Sequence, residues 1–152
     1  MIKIKLRKRG DKEIEKLADL WASSWLEAMP AIDFAARRHW FLTHIQSLEK
    51  AGAATICAVD GKDRLLGFAV FNASTAYLDQ LAVAPEAKGA GIASLLVGEA
   101  IKFSCGALYL DVNQDNPRAL RFYEKEGFEI IGEGVNPTSG LKTWRLQSLK
   151  FK

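Results

Sequence analysis

The stretch Leu81–Leu96, LAVAPEAKGAGIASLL, decides how the rest of the chain is read. Leu81, Ala82 and Val83 end an apolar strand, Pro85 opens a turn, and Lys88-Gly89-Ala90-Gly91 runs directly into a helix starting near Ile92. Glycines let successive backbone N–H groups turn to one side without a Cβ penalty. The first helical turn adds unpaired donors and a partial positive charge. A loop of this kind binds anions, and phosphate or pyrophosphate is its natural occupant.

Two phosphate-binding loops fit poorly. A Walker A loop needs Lys followed by Ser or Thr after its last glycine, and here Gly91 is followed by Ile92 and Ala93. A dinucleotide fingerprint asks for a third glycine at position 94, which is Ser94, although Asp111 lies at about the expected distance downstream. Its glycines also sit at the very end of their strand, whereas here Ala84 to Lys88 intervene.

A second informative stretch is Leu110 to Ile131, LDVNQDNPRALRFYEKEGFEII. Asn116 as N-cap and Pro117 in the first turn start a helix, and Gly127 closes it before a short strand from Phe128 to Ile131. Together the two stretches resemble the GNAT superfamily of N-acetyltransferases. Its acyl-CoA loop reads Gln/Arg-x-x-Gly-x-Gly/Ala after a strand ending in Val-x-Pro, as in Val83-Ala84-Pro85 and Lys88-Gly89-Ala90-Gly91-Ile92-Ala93. Its other hallmark, Asn-x-x-Ala-x-x-x-Tyr-x-x-x-Gly-Phe, is matched at Asn116, Ala119, Tyr123, Gly127 and Phe128. Lys88 departs from the pattern, keeping a charge but losing the planar hydrogen-bonding geometry of Gln or Arg.

At 152 residues and 49% hydrophobic content, the chain reads as a single domain spanning 1–152, with enough length to bury a core. Its net charge of +3 is mild. Lys3, Lys5, Arg7, Lys8 and Arg9 alternate with Ile2, Ile4 and Leu6, which predicts the solvated face of an edge strand rather than a nucleic-acid patch. Cys57 and Cys105 each lie in an apolar run, so both are expected reduced and buried. Neither a signal peptide nor an apolar run of membrane-spanning length is visible, so a cytoplasmic protein without a membrane partner is expected.

In chain order, Ile2 to Leu6 predicts a half-buried strand, and Asp11 a helix N-cap. The first helix then carries Ile14, Leu17, Leu20, Trp21 and Trp25 on one face until Pro30. A second helix is predicted over Asp33 to Lys50, with Phe34, Trp40, Phe41, Ile45 and Leu48 apolar. An antiparallel meander follows: Thr55 to Val59, a turn at Asp60 to Asp63, Leu65 to Phe71, and Tyr77 to Val83. The helix from Gly91 to about Phe103 presents Ile92, Leu95, Leu96, Ala100 and Phe103 inward and ends at Gly106. Leu108 to Val112 then lies parallel to Tyr77 to Val83, and a last strand covers Thr143 to Leu149.

The resemblance covers essentially the whole chain. It implies an α+β (mixed α/β) fold, with a mixed, mostly antiparallel sheet of about seven strands, about four flanking helices, and a splay between the fourth and fifth strands. It also implies acetyl-CoA as co-substrate and an acetyl group moved to a primary amine by direct attack. Main-chain groups of Leu81 and Val83 pair with the pantetheine arm, the backbone of Lys88, Gly89, Ala90, Gly91, Ile92 and Ala93 holds the pyrophosphate, and Asn116 contacts the arm. Tyr123 is the general acid, its phenol carrying a proton at neutral pH.

Some family members place a Glu base where this chain has Tyr77, which cannot serve as a strong base at neutral pH. Asp79, sharing a face with Tyr77 and Leu81 by alternation, is the candidate instead. Trp25, Glu27, Met29, His39 and Tyr77 are candidates for the acceptor wall, with the loop Gly132 to Gly140. Helix packing competes for Trp25, and a solvated face for Arg37 and His39. The partner is a small-molecule amine or a peptide N-terminus, a homodimer is compatible, and no metal is implied. The competing function is a module that binds acyl-CoA without turnover; a positioned acid at Tyr123 argues against it.

Overall fold

The computed structural model describes residues 3–28, 37–104 and 107–148. Met29, Pro30, Phe34, Cys105, Gly106 and the side chains of Trp25 and Glu27 lie outside the described residues. The elements run β1 (Lys5–Lys8), α1 (Ile14–Ala28), α2 (Arg38–Lys50), β2 (Ala54–Val59), β3 (Leu65–Asn72) and β4 (Tyr77–Val83), then, after a 3₁₀ turn at Pro85–Ala87, α3 (Ile92–Phe103), β5 (Tyr109–Asn113), α4 (Pro117–Lys125), β6 (Phe128–Val135) and β7 (Lys142–Ser148). One seven-stranded sheet has the order β1-β2-β3-β4-β5-β7-β6. Every neighbour is antiparallel except β4 and β5. The expected α+β class with a mixed, mostly antiparallel sheet is therefore the observed one.

β2 and β3 are apolar almost throughout because both faces of the sheet are covered there. The ring of Phe68 meets that of Phe41 edge-on at 5.9 Å, while a Cβ added to the neighbouring Gly67 would lie 3.0 Å from Ile92 Cγ2. Adjacent strand residues point to opposite faces, so α2 covers one side of β3 and α3 the other. Gly67 is also required by the sheet, since that Cβ would come within 2.8 Å of the Ala82 carbonyl oxygen. On the α2 side the core is aromatic: Trp21 stacks on Phe41 at 4.8 Å and lies 6.1 Å from Trp40. No helix among the described residues is long and apolar enough to cross a membrane.

Several boundaries differ from the sequence reading. β1 begins at Lys5 rather than Ile2, and α1 begins at Ile14, with Asp11 in the preceding turn and the Leu17 amide reaching the Glu13 carbonyl. α2 is helical from Arg38, and the expected start at Asp33 lies outside the described residues. β6 continues to Val135, so only the tip of the expected Gly132 to Gly140 loop is irregular. The inner face of α3 is narrower than its apolar pattern: Leu96 is buried, but Leu95 and Phe103 are 44% and 49% exposed. The stripe that packs is Ile92, Leu96, Val97 and Ala100, and Phe103, at the last turn, only leans on Phe71 at 6.4 Å.

The basic N-terminal strand is also less solvated than its alternation suggests. Arg7 donates a fork to both oxygens of Glu13 at 2.9 and 2.8 Å and reaches Asp63 at 3.2 Å, and Arg9 grips Glu49 at 2.6 and 2.8 Å. Glu49 in turn accepts from Thr55 Oγ1 at 2.7 Å, so the two arginines tie β1 to α1, α2 and β2.

Hydrogen bonds from Arg7 hold the Glu13 carboxyl, ordinarily at 4.5, down at about 2. A folded-state pKa below the unfolded one means that the unfolded chain binds more protons in this window, so the contribution is complete above about 4.5 and is lost as pH falls through about 2. Glu13→Gln should therefore lower the urea midpoint at pH 7, and the wild-type advantage should fade as denaturation is repeated toward pH 2. An advantage independent of pH would assign the effect to packing instead.

Candidate active site

The loop after β4 has the backbone that its glycines predict. Gly89 and Gly91 adopt φ of 89° and 77°, and a Cβ at either would meet nothing within 4 Å, so both face open space. The first bond into α3 is from the Leu95 amide to the Gly91 carbonyl at 3.1 Å. Amides of 89–94 find no acceptor among the described residues, and they lie at the positive end of a 12-residue helix. An anionic diphosphate fits this cradle by charge and by donor supply.

Beside it, the sheet opens. β4 and β5 pair at a single position, Tyr77 opposite Tyr109, with the Tyr109 amide donating to the Ala76 carbonyl at 2.7 Å. Beyond that point they diverge. The Ala84 amide donates to Leu66 in β3, so by the two-residue alternation of strand hydrogen bonding Leu81 and Val83 direct their N–H and C=O to the opposite, unpaired edge. An extended arm carrying amide groups fits there as an added strand.

Asn116 caps α4 by accepting from the Ala119 amide at 3.2 Å, which leaves its Nδ2 side for any further contact. Tyr123 is buried, in edge contact with Phe122 at 5.0 Å and Phe128 at 5.5 Å. Burial alone pushes its phenol above the usual range, so the group stays protonated at neutral pH.

A cleft of about 650 Å³ is lined among others by Trp21, Arg37, Trp40, His44, Tyr77, Asp79, Gln80, Asp111 and the β6–β7 hairpin from Val135 to Ser139. A bulge shapes its floor. Val70 pairs with Gln80 and Phe71 with Leu78, so Asp79 is an extra residue on β4, and Asp79 and Gln80 both line the cleft with Tyr77. Leu81 is absent from that lining, because the bulge interrupts the alternation from which a shared face was expected.

Asp79 Oδ1 lies 2.9 Å from His44 Nε2 and accepts from Gln80 Nε2 at 3.1 Å. The His44 ring is stacked under Trp40 at 4.7 Å and 13°. At the other end of the cleft, Tyr77 Oη donates to Asp111 Oδ2 at 2.6 Å, and Arg145 forks onto the same carboxylate at 2.7 and 3.0 Å. Burial, then this bond to Asp111, pushes the Tyr77 phenol upward.

His39 is exposed and does not line the cleft, whereas Arg37, exposed as expected, also lines it. His44 and Asp111 were missed as site residues. The spacing of Trp40 and His44 by four residues is a readable sign that they share a helix face. Nothing local marks the meeting of His44 with Asp79. Cys57 is buried away from the cleft, its thiol pushed up to about 12, first by burial and then by nearby Glu13.

Residues 14–128 match the acetyltransferase (GNAT) family. The chain is 30% identical over 129 residues to the peptidyl-lysine N-acetyltransferase YjaB of Salmonella typhimurium, covering 85% of this chain and 86% of that protein. It superposes on the solution structure of apo YjaB from Escherichia coli with a TM-score of 0.77 at 25% identity, covering 97% of this chain and 98% of that one. The PaiA N-acetyltransferase of Thermoplasma acidophilum, solved with coenzyme A, shares the fold at a TM-score of 0.77 and 19% identity over 98% of this chain and 99% of that one. The glycine loop, the opened β4 edge and the match over most of the sequence agree, with acetyl-CoA as the donor that this family uses, and the chain belongs to the GNAT family of acetyltransferases.

Proposed function

We propose that the protein moves an acetyl group from acetyl-CoA directly to a primary amine seated in the cleft, with the His44–Asp79 pair receiving the amine's proton and Tyr123 supplying one to the leaving sulfur. The observation that carries this reading is the 2.9 Å contact between His44 and Asp79 on the wall of the cleft. When bound, acetyl-CoA supplies an acetyl group activated as a thioester.

The chain's own residues divide the remaining work. The amides of Gly89, Ala90, Gly91, Ile92 and Ala93, with Lys88 beside them, are suited to the diphosphate, and the free edge at Leu81 and Val83 to the amide-bearing arm. An amine arrives largely as ammonium and must lose a proton before it can attack. Asp79 draws the cation in, and imidazole is the side chain suited to hold a proton near neutrality, so the proton comes to rest on His44. Asp79 then stabilises the imidazolium across their hydrogen bond. Tyr123 keeps its proton at Oη until the sulfur leaves, because burial favours the neutral phenol, and it takes back the second proton that the nitrogen sheds as the amide forms.

Direct attack needs no covalent acyl-enzyme, and Cys57, the buried thiol among the described residues, is neither in the cleft nor ionised at neutral pH. The relatives named for peptidyl-lysine support an alkyl amine such as a lysine side chain as the acceptor. An acyl-CoA sensor without turnover would have no use for the paired His44 and Asp79 opposite the opened strand edge.

Gly91→Asp should cut coenzyme A affinity about 100-fold or more in calorimetry, because it sets a carboxylate among the phosphate donors, while the strain of a side chain at a left-handed φ should lower the unliganded melting temperature by only a few degrees. Unchanged affinity would remove the loop from the binding site. Tyr123→Phe should lower kcat about 100-fold with coenzyme A affinity kept, since a proton needed only as the C–S bond breaks stabilises the transition state alone. A loss confined to affinity would make Tyr123 a binding residue.

For the base, kcat/KM should rise with pH through an ionisation that His44→Gln abolishes. Asp79→Asn should lower kcat/KM while the ionisation remains, because the imidazole loses the carboxylate that orients it. If Asp79→Asn abolishes the ionisation and His44→Gln does not, the carboxylate is itself the base.

A further inference from the structure

Among the described residues two carboxylates, Asp79 and Asp111, line the acceptor cleft, but they are not equally available to a positively charged substrate. Both oxygens of Asp111 are engaged: Oδ1 by Arg145 Nε at 2.7 Å, and Oδ2 by Arg145 Nη2 at 3.0 Å and by Tyr77 Oη at 2.6 Å. The guanidinium that neutralises it sits 5.6 Å from the Tyr77 ring centroid, so this end of the cleft is already supplied with a cation. Asp79 keeps an oxygen beyond its contacts with His44 and Gln80.

Arg37 adds a positive charge to the same lining. Its chain neighbour Arg38 is taken by Glu15 at 2.7 Å and Asp19 at 3.1 Å. Arg37 meets no carboxylate among the described residues. Among the described residues the cleft thus offers one place for an ammonium, at Asp79, and one cation that meets no carboxylate, at Arg37. A second ammonium would find Asp111 occupied and Arg37 repulsive, whereas a carboxylate carried by the acceptor would complete a charge-assisted pair.

Resting on the transferase reading above, we infer that the acceptor is an amine bearing a single positive charge together with a carboxylate, that Arg37 reads the carboxylate, and that polyamines are rejected. The carboxylate can belong to a free amino acid or to an acidic residue next to a lysine in a peptide; the recognition chemistry is the same.

The test is kcat/KM from thiol release with the full chain, its Arg37→Gln and Arg37→Glu variants and four acceptors: Nα-acetyl-lysine, its methylamide, which keeps the ammonium and lacks the carboxylate, the peptide amide acetyl-Lys-Glu, and spermidine. A single charge-assisted contact predicts that the wild type prefers an acceptor with a carboxylate over the methylamide by about tenfold or more. Preference for Nα-acetyl-lysine alone identifies the free α-carboxylate as the group read, and preference for acetyl-Lys-Glu identifies the acidic side chain.

In Arg37→Gln that ratio should collapse toward one with methylamide turnover kept. In Arg37→Glu, spermidine should gain relative to both carboxylates. Equal use of acceptors with and without a carboxylate, preference for spermidine, or ratios untouched by either variant would overturn the inference while leaving the transferase intact. Absence of thiol release with every amine would overturn the transferase reading itself.

Discussion

The separation of β4 from β5 is the constraint on which the rest of the structure depends. Two parallel neighbours in a sheet would ordinarily continue their ladder, yet here it stops after Tyr77 opposite Tyr109. The amide and carbonyl groups of Leu81 and Val83 are left at an unpaired edge in the middle of the sheet, where a backbone polar group without a partner costs about as much as a lost hydrogen bond. An edge like this persists only where something other than a strand completes it. Two features hold it open. The bulge at Asp79 bends β4 on the β3 side, and Tyr77, Asp111 and Arg145 clamp the closed end just beside the last paired residues.

The same geometry explains which parts of the site could be read from sequence. The phosphate cradle is local, since positive φ at Gly89 and Gly91 and the start of α3 are properties of a few consecutive residues, and the reading found them. The cap at Asn116 and the closing Gly127 are local in the same way. His44 and Asp79 are 35 residues apart on a helix and a strand, and their meeting depends on how α2 crosses the sheet and on a bulge that alternation cannot anticipate. Asp79 was readable as a polar residue in an apolar strand; its partner was not. Leu95 and Phe103 illustrate the opposite error, because an apolar pattern reports what can be buried, and only the width of the neighbouring strands decides what is.

Buried hydroxyls in this protein illustrate how environment assigns chemistry to like groups. Tyr77 and Tyr123 both have phenols pushed upward chiefly by burial. Tyr77, however, has committed its proton to Asp111 in a 2.6 Å bond and is fixed as a strut across the splayed strands. Tyr123 is surrounded by Phe122 and Phe128, with burial as the sole cause of its raised pKa. A phenol in that setting keeps its proton and gains from any acceptor that arrives, which is the property a general acid requires. Exchanging the roles would fail, since drawing a proton from Tyr77 would place a phenolate beside Asp111.

Rigidity reaches the proposed base through the aromatic core. Phe41, fully buried against Trp21 and Phe68, precedes His44 by three residues, and Trp40 precedes it by four. The α2 turn that carries the imidazole is therefore fixed on its inner side by ring packing, and the imidazole itself is held flat beneath Trp40. A side chain confined by a stacked ring and a hydrogen-bonded carboxylate loses little further freedom when an acceptor binds, so its orientation is set before the reaction starts. The exposed part of Trp40 faces the cleft, so the ring that orients His44 also forms wall for the incoming amine. Core packing and the wall of the cleft thus share one residue, and a substitution at Trp40 cannot change the shape of the cleft without also releasing the imidazole.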